Sequence, residues 1–136
     1  MHYLTEIIQL VKAAGAFGIK RFSNGVVYYG AFPDVGEGAW FHRWYPSLDE
    51  VEVEYLEQDL GQRIPESFRE FLLMANGADL FRGNLALLGR FDSTLIGLEP
   101  QPFGLTNVNK GNRPSGTPKE ILYVGAYSAD RGVPRD

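Results

Sequence analysis

Apolar positions between Ser47 and Leu88 fall into two successive helical patterns, and the rest of the chain reads as sheet and loop built against them. In the first, SLDEVEVEYLEQDL, residues Leu48, Val51, Tyr55, Leu56 and Leu60 recur at helical spacing and predict one stripe turned towards a core. Ser47, with Glu50 three residues on, has the form of a capping box, in which each side chain satisfies a backbone N–H that the helix start leaves orphaned. The helix is therefore expected to begin near Leu48. Gly61 ends it, because glycine enters the left-handed turn after a helix without steric cost.

The second pattern, IPESFREFLLMA, places Pro65 after Ile64 at the first helical position, where a missing N–H costs nothing and the fixed φ is already helical. Phe68, Phe71, Leu72 and Ala75 follow on one face, and Leu73 and Met74 widen it, which predicts a helix buried on more than one side. Asn76-Gly77 tolerates positive φ and turns the chain into an extended run, Leu80 to Leu88, interrupted by Arg82-Gly83-Asn84.

Upstream, Leu4, Ile7, Ile8, Val11 and Ala14 predict an amphipathic helix over Tyr3 to Ala14. Phe17 to Phe22 and Val26 to Ala31, rich in aromatic and β-branched residues, flank Ser23-Asn24-Gly25 and predict a hairpin. Pro33 to Gly38 reads as a loop. Ala39 to Tyr45, AWFHRWY, is either a strand or an irregular aromatic segment, and periodicity does not choose between them. Downstream, Leu95 to Leu98 reads as a short strand, Leu105 to Asn109 as a short helix within an aperiodic stretch, and Ile121 to Val124 as a run with the character of a central strand. Together these elements predict a single α+β domain over residues 1–136, its sheet antiparallel or mixed, with helices packed mainly on one face.

Leu56-Glu57, Leu60-Gly61, Ile64-Pro65, Phe68, Phe71-Leu72 and Asn76-Gly77, at these separations, resemble the signature of the SUKH superfamily, also called the Smi/Knr family. The resemblance is sharpest over residues 48 to 89 and extends more loosely to the Ile121–Tyr127 strand and the Asp130-Arg131-Gly132 turn. Gly61, Ile64, Pro65, Phe71, Asn76 and Gly77 are then caps, turns and core positions, none of them catalytic. Family members continue past this chain's last residues with further strands and a C-terminal helix. The resemblance thus implies either a fold closed with fewer elements or an Ile121 strand left nearer an edge, where unpaired backbone invites another chain.

Composition narrows the function. With 44% apolar and 13% aromatic residues the chain has the make-up of a folded globule. It has no cysteine, so no disulfide framework or thiolate metal site is possible, which suits a cytoplasmic setting. No apolar run approaches the roughly 18 residues of a membrane span, and Thr5, Glu6 and Gln9 interrupt what would be a signal-peptide core. The formal charge of -4 is unevenly placed. Six carboxylates, Asp49, Glu50, Glu52, Glu54, Glu57 and Asp59, lie between Ser47 and Leu60 with no lysine or arginine, leaving 17 − 6 = 11 acids against 13 bases elsewhere.

Candidate chemistry is sparse. His42, among Trp40, Phe41, Trp44 and Tyr45, has neither a nucleophile nor an orienting carboxylate that the sequence locates, and reads as a packed or surface histidine. No metal-ligand spacing is present, and no metal or cofactor is expected. Gly36-Glu37-Gly38 lacks the helix and lysine of a phosphate cradle, and Gly111-Asn112-Arg113-Pro114 reads as a turn. Glu66 and Glu70, four apart on one helix, would lie on the same side of any substrate rather than flank it. The basic residues are scattered, which disfavours nucleic acid as a partner.

What remains suits a binding module. Like charges at i and i+4, as in Glu50 and Glu54, destabilise a helix by a few tenths of a kcal/mol per pair, a strain that a cationic partner would relieve. The same array, Glu50, Glu54 and Glu57, would steer a basic protein to the site, and Trp40 or Trp44 would anchor it. A solvated face and ordinary core packing are the plain readings of the same residues. The family resemblance implies an immunity protein that neutralises a toxin domain, often a nuclease, by binding it. Its fungal members imply the alternative of an intracellular scaffold or regulatory module, and an adjacent toxin gene would favour the first. Hydrolase activity is a third expectation, and it would need convergent carboxylates with raised pKa values.

Overall fold

The computed structural model describes residues 2–31, 39–95, 100–111, 116, 118 and 121–127. Strand order follows sequence order. β1 (Ile19–Arg21), β2 (Val27–Ala31), β3 (Trp40–Trp44), β4 (Ala78–Leu80), β5 (Leu85–Leu87) and β6 (Gly125–Tyr127) form one six-stranded sheet in which every neighbouring pair is antiparallel. α1 (His2–Ala13) precedes it, α2 (Glu50–Leu60) and α3 (Glu66–Leu72) interrupt the step from β3 to β4, and α4 (Leu105–Gly111) interrupts the step from β5 to β6. The four helices of the described residues, through residues such as Val11, Leu56, Leu72 and Leu105, share one buried cluster with Tyr29, Ala78 and Leu80 of the sheet. The expected α+β fold is present, and its sheet is antiparallel. AWFHRWY resolves as β3, an interior strand.

The first hairpin forms where expected. Gly25 N–H donates to the Phe22 carbonyl at 3.1 Å, Phe22 N–H to the Val26 carbonyl at 2.9 Å, and Val26 N–H to the Asn24 side chain at 3.2 Å. α1 also matches its pattern, and a 3₁₀ turn over Ala14–Phe17 leads out of it. The loop at Pro33 to Gly38, with its Gly36-Glu37-Gly38, lies outside the described residues, as do Asn112 to Pro114, Asp130-Arg131-Gly132 and most of the Leu95 to Leu98 strand. Leu95 itself ends a 3₁₀ turn, Ser93–Leu95.

The acidic helix starts two residues later than its Ser47–Glu50 pattern predicts. Asp49 is the N-cap, accepting from Glu52 N–H at 2.8 Å, and the Glu52 carboxylate accepts from Asp49 N–H at 3.1 Å. Both spacings fit a capping box; tertiary structure selects the second, because Leu48 is buried and its N–H donates to the Leu72 carbonyl of α3 at 2.9 Å. Leu48, Leu56 and Leu60 of the expected stripe pack into the core, joined by Val53. Val51 and Tyr55, expected inside, are each 53% exposed. Each lies two residues from Val53, a rotation of about 200° that puts it on the opposite side.

Pro65 is the N-cap of α3 rather than its first helical residue, with an extended ψ of 141° and a carbonyl that accepts from Phe68 and Arg69 N–H. Phe68, Phe71, Leu72 and Ala75 are buried as predicted. Met74, beyond the helix end, is 41% exposed, whereas Leu73 packs against the core and no residue from Phe68 to Leu73 is fully exposed.

Among the described residues beyond β5, the regular elements are α4, β6 and the 3₁₀ turn, and three primary amides hold the rest in place. Asn76 bonds the backbone N–H and carbonyl of Arg90, Gln101 those of Asp92, and Asn109 those of Tyr123. Each side chain supplies the donor and acceptor that a neighbouring strand residue would otherwise offer. The third clamp explains a departure from expectation. Ile121 to Val124 is not a central strand: Asn109 holds Tyr123 at 2.8 Å on both sides, Ile121 is 49% exposed, and sheet pairing begins only at Gly125, on the last strand of the sheet order.

Gly77 does more than turn the chain. Its φ of 77° is left-handed, and a Cβ there would stand 2.6 Å from the Leu87 carbonyl oxygen and 2.9 Å from Pro102 Cβ. No side chain fits that crossing.

Candidate functional site

The sequence nominates α2, and structure divides its acids into committed and open ones. Arg69 of α3 reaches across with Nη1 2.7 Å from Glu50 Oε2 and Nε 3.9 Å from Glu57 Oε1, and the Glu50 bond holds its guanidinium pKa above the ordinary value. Arg90 stands 3.7 Å from Glu52. Glu57 is drawn in furthest. Its side chain is 17% exposed, and Oε2 accepts the Ile64 N–H at 2.8 Å, which ties the end of α2 to the linker before Pro65. Glu57 thus links two helices and the turn between them. Asp49 is used as the cap, whereas Glu54 and Asp59 are exposed and have no ion pair among the described residues.

Neither tryptophan stands with the open acids. Trp44 packs edge-on against Phe71, with ring centroids 6.1 Å apart, at the margin of the core. Trp40 lies 5.9 Å from Tyr28, whose neighbour Tyr29 is the residue turned into the core, so Trp40 belongs to the sheet face away from α2. The exposed aromatic on α2 is Tyr55, beside Val51. Sequence reading misses it by placing it on the buried stripe; the i, i+3, i+7 spacing of Val53, Leu56 and Leu60 is the signal that would have turned it outward.

The outer sheet face is organised by register. Lys20, Tyr28, Arg43, Asp79, Ala86 and Ala126 pair in succession across all six strands and form one row. Its first half is aromatic and cationic: Phe22 meets Tyr28 edge-on at 4.8 Å, Lys20 lies over Phe22 and Arg43 over Tyr28, both at 5.1 Å. The buried Tyr45 hydroxyl donates to Asp79 at 3.1 Å, and burial together with that carboxylate pushes its pKa upward. Tyr28 is raised by burial as well, opposed by Arg43. The second half, floored by Ala86 and Ala126, holds a cleft of about 500 Å³.

His42 is a structural acceptor. It is 1% exposed, burial lowers its pKa to about 4, and neutral Nδ1 accepts the Phe81 N–H at 3.2 Å. The turn it supports is strained: Phe81, Arg82 and Gly83 have φ of 54°, 60° and 80°, a left-handed turn that costs about 1–2 kcal/mol per non-glycine residue. Among the described residues no three histidine or carboxylate side chains converge as a metal site, and no helix is long and apolar enough to cross a membrane.

No curated protein and no solved structure matches the chain. The profile of the SMI1 / KNR4 family (SUKH-1) matches residues 47–131, a span that opens just before the Asp49 cap and takes in Glu57, Asn76 and Asn109, the residues that fasten helices, linker and strands together. The chain is therefore a member of the SMI1/KNR4 family, SUKH-1.

Proposed function

We propose that this domain is a non-catalytic binding protein of the immunity type, which neutralises a basic toxin domain by covering it. The observation that carries the reading is the outward side of α2, where an exposed apolar pair, Val51 and Tyr55, shares a helix with Glu54 and Asp59, acids that no described cation satisfies. An aromatic residue framed by unneutralised charge suits recognition of a cationic surface: the acids accelerate encounter and the ring supplies contact area. Glu50, 62% exposed despite its bond to Arg69, adds to the same field. In this reading Tyr55 takes the anchoring role expected of Trp40 or Trp44, and Glu57 serves the fold.

The test is association kinetics with any toxin domain that proves to be encoded beside this gene. Glu54→Lys with Asp59→Lys slows association at low salt, added salt slows the native pair in the same way, and Tyr55→Ala chiefly speeds dissociation. A rate indifferent to both salt and charge reversal would remove the steering role, and no binding to any neighbouring gene product would leave the scaffold alternative.

A further inference from the structure

We infer that the cleft on the outer sheet face is a ligand site for a small aromatic anion, a ring bearing a carboxylate or phosphate. The inference is independent of the toxin-binding reading, since it concerns the opposite face of the sheet and the opposite sign of charge.

Three observations converge on it. The first is shape. Trp40 lines one part of the cleft and Phe103, 60% exposed, another, over a floor made low by alanine at both Ala86 and Ala126. Those two alanines pair directly across β5 and β6, so the depression is built into the sheet register. At about 500 Å³ it falls within the range of small-molecule sites, and its aromatic walls suit a flat ring.

Charge is the second. Among the described residues Arg43 and Arg82 line the cleft with one carboxylate, Asp79, which accepts the Tyr45 hydroxyl. Arg43 makes no ion pair among the described residues; its guanidinium lies over Tyr28, 5.1 Å from the ring centroid, and is a group whose forked N–H geometry suits carboxylate and phosphate.

The third is strain. Arg82 reaches the cleft rim only because the β4–β5 turn is left-handed through Phe81, Arg82 and Gly83, a conformation pinned by Phe81 N–H on His42 and by Arg82 N–H on the Phe41 carbonyl at 2.7 Å. Asparagine and glycine would make that turn at less cost. Backbone held against its preference concentrates at ligand sites, because the displaced side chain is then already in place.

Phenyl phosphate is the probe, titrated into the ¹⁵N-labelled protein, with inorganic phosphate and benzylamine as comparators. Phenyl phosphate is expected to shift the Gly83, Ala86 and Ala126 amides and the Trp40 indole together, and to bind at least about tenfold more tightly than either comparator. Arg43→Gln lowers its affinity about tenfold or more while the circular dichroism spectrum stays native. Ala86→Phe fills the cleft, removes no polar group and abolishes binding. Tyr55→Ala, on α2, leaves binding unchanged. Equal binding of benzylamine, shifts confined to other parts of the surface, or full affinity in the folded Ala86→Phe variant would overturn the assignment.

Discussion

The carboxamide of Asn76 and the backbone of Arg90 are paired as two residues of adjacent strands would be: Asn76 Nδ2 donates to the Arg90 carbonyl at 3.0 Å, and Arg90 N–H donates to Asn76 Oδ1. Asn76 N–H meanwhile donates to the Tyr45 and Pro46 carbonyls at 3.2 and 3.0 Å, so this residue joins the ends of β3 and α3 to the segment after β5. Asn76→Ala leaves both Arg90 groups without their partners and is expected to cost about 2–4 kcal/mol of stability, read from urea unfolding. Asn76→Asp, which keeps the acceptor and loses the donor, should fall between. A loss under about 0.5 kcal/mol for alanine would mean that water replaces the clamp freely.

Glu54 and Glu57 are three residues apart on one helix and should behave differently. Glu57→Gln weakens the Arg69 contact and exchanges a charge-assisted bond to Ile64 N–H for a neutral one, an expected loss of about 1 kcal/mol, and Glu57→Ala about 2. Glu54→Gln should leave stability within about 0.5 kcal/mol of native. Denaturant midpoints of the three variants decide the matter, and equal effects at the two positions would contradict the division of labour on α2.

His42 makes stability depend on pH. Its folded pKa is about 4 against an ordinary 6.5, so between those values the unfolded chain binds the extra proton. The native state is then favoured fully above pH 6.5 and loses that advantage as pH falls to about 4, by roughly 3 kcal/mol if the whole shift is realised. Protonation also removes the acceptor for Phe81 N–H. Urea midpoints measured from pH 7 to 4 should fall more steeply for the native protein than for His42→Gln, which keeps an acceptor but does not titrate. Parallel slopes would show that His42 is not the source.

Relief of the left-handed turn should be measurable at Arg82. Asparagine visits φ near 60° more readily than arginine does, and Arg82→Asn is expected to stabilise by about 0.5–1 kcal/mol, whereas Arg82→Ala, equally hindered, should not. Thermal unfolding separates the two. If asparagine gives no gain over alanine, the turn carries no strain worth relieving.

Local chemistry was legible in the sequence, and rotation and register were not. Gly61 and the Asn24-Gly25 turn announce themselves because backbone geometry restricts which residues can stand there. The acidic helix is legible as a helix, with Leu48, Leu56 and Leu60 inside, but its start is not, since Ser47–Glu50 and Asp49–Glu52 both fit a capping box, and Val51 and Tyr55 turn outward because Val53 takes the core side. Glu57 looked like one acid among six because its partners, Arg69 and Ile64, come together only once α2 and α3 pack. The cleft had no sequence signal at all: Ala86 and Ala126 are forty residues apart and become one floor only through strand pairing.

α2 and α3 are inserted in the connection between β3 and β4, two strands that pair side by side in the sheet. Their inward residues, the Asp49 cap and the Glu57 link keep that excursion in place, and the outward positions Val51, Glu54, Tyr55 and Asp59 take no part in doing so. Sequence drift there leaves folding untouched, so these four positions can change without rebuilding the scaffold.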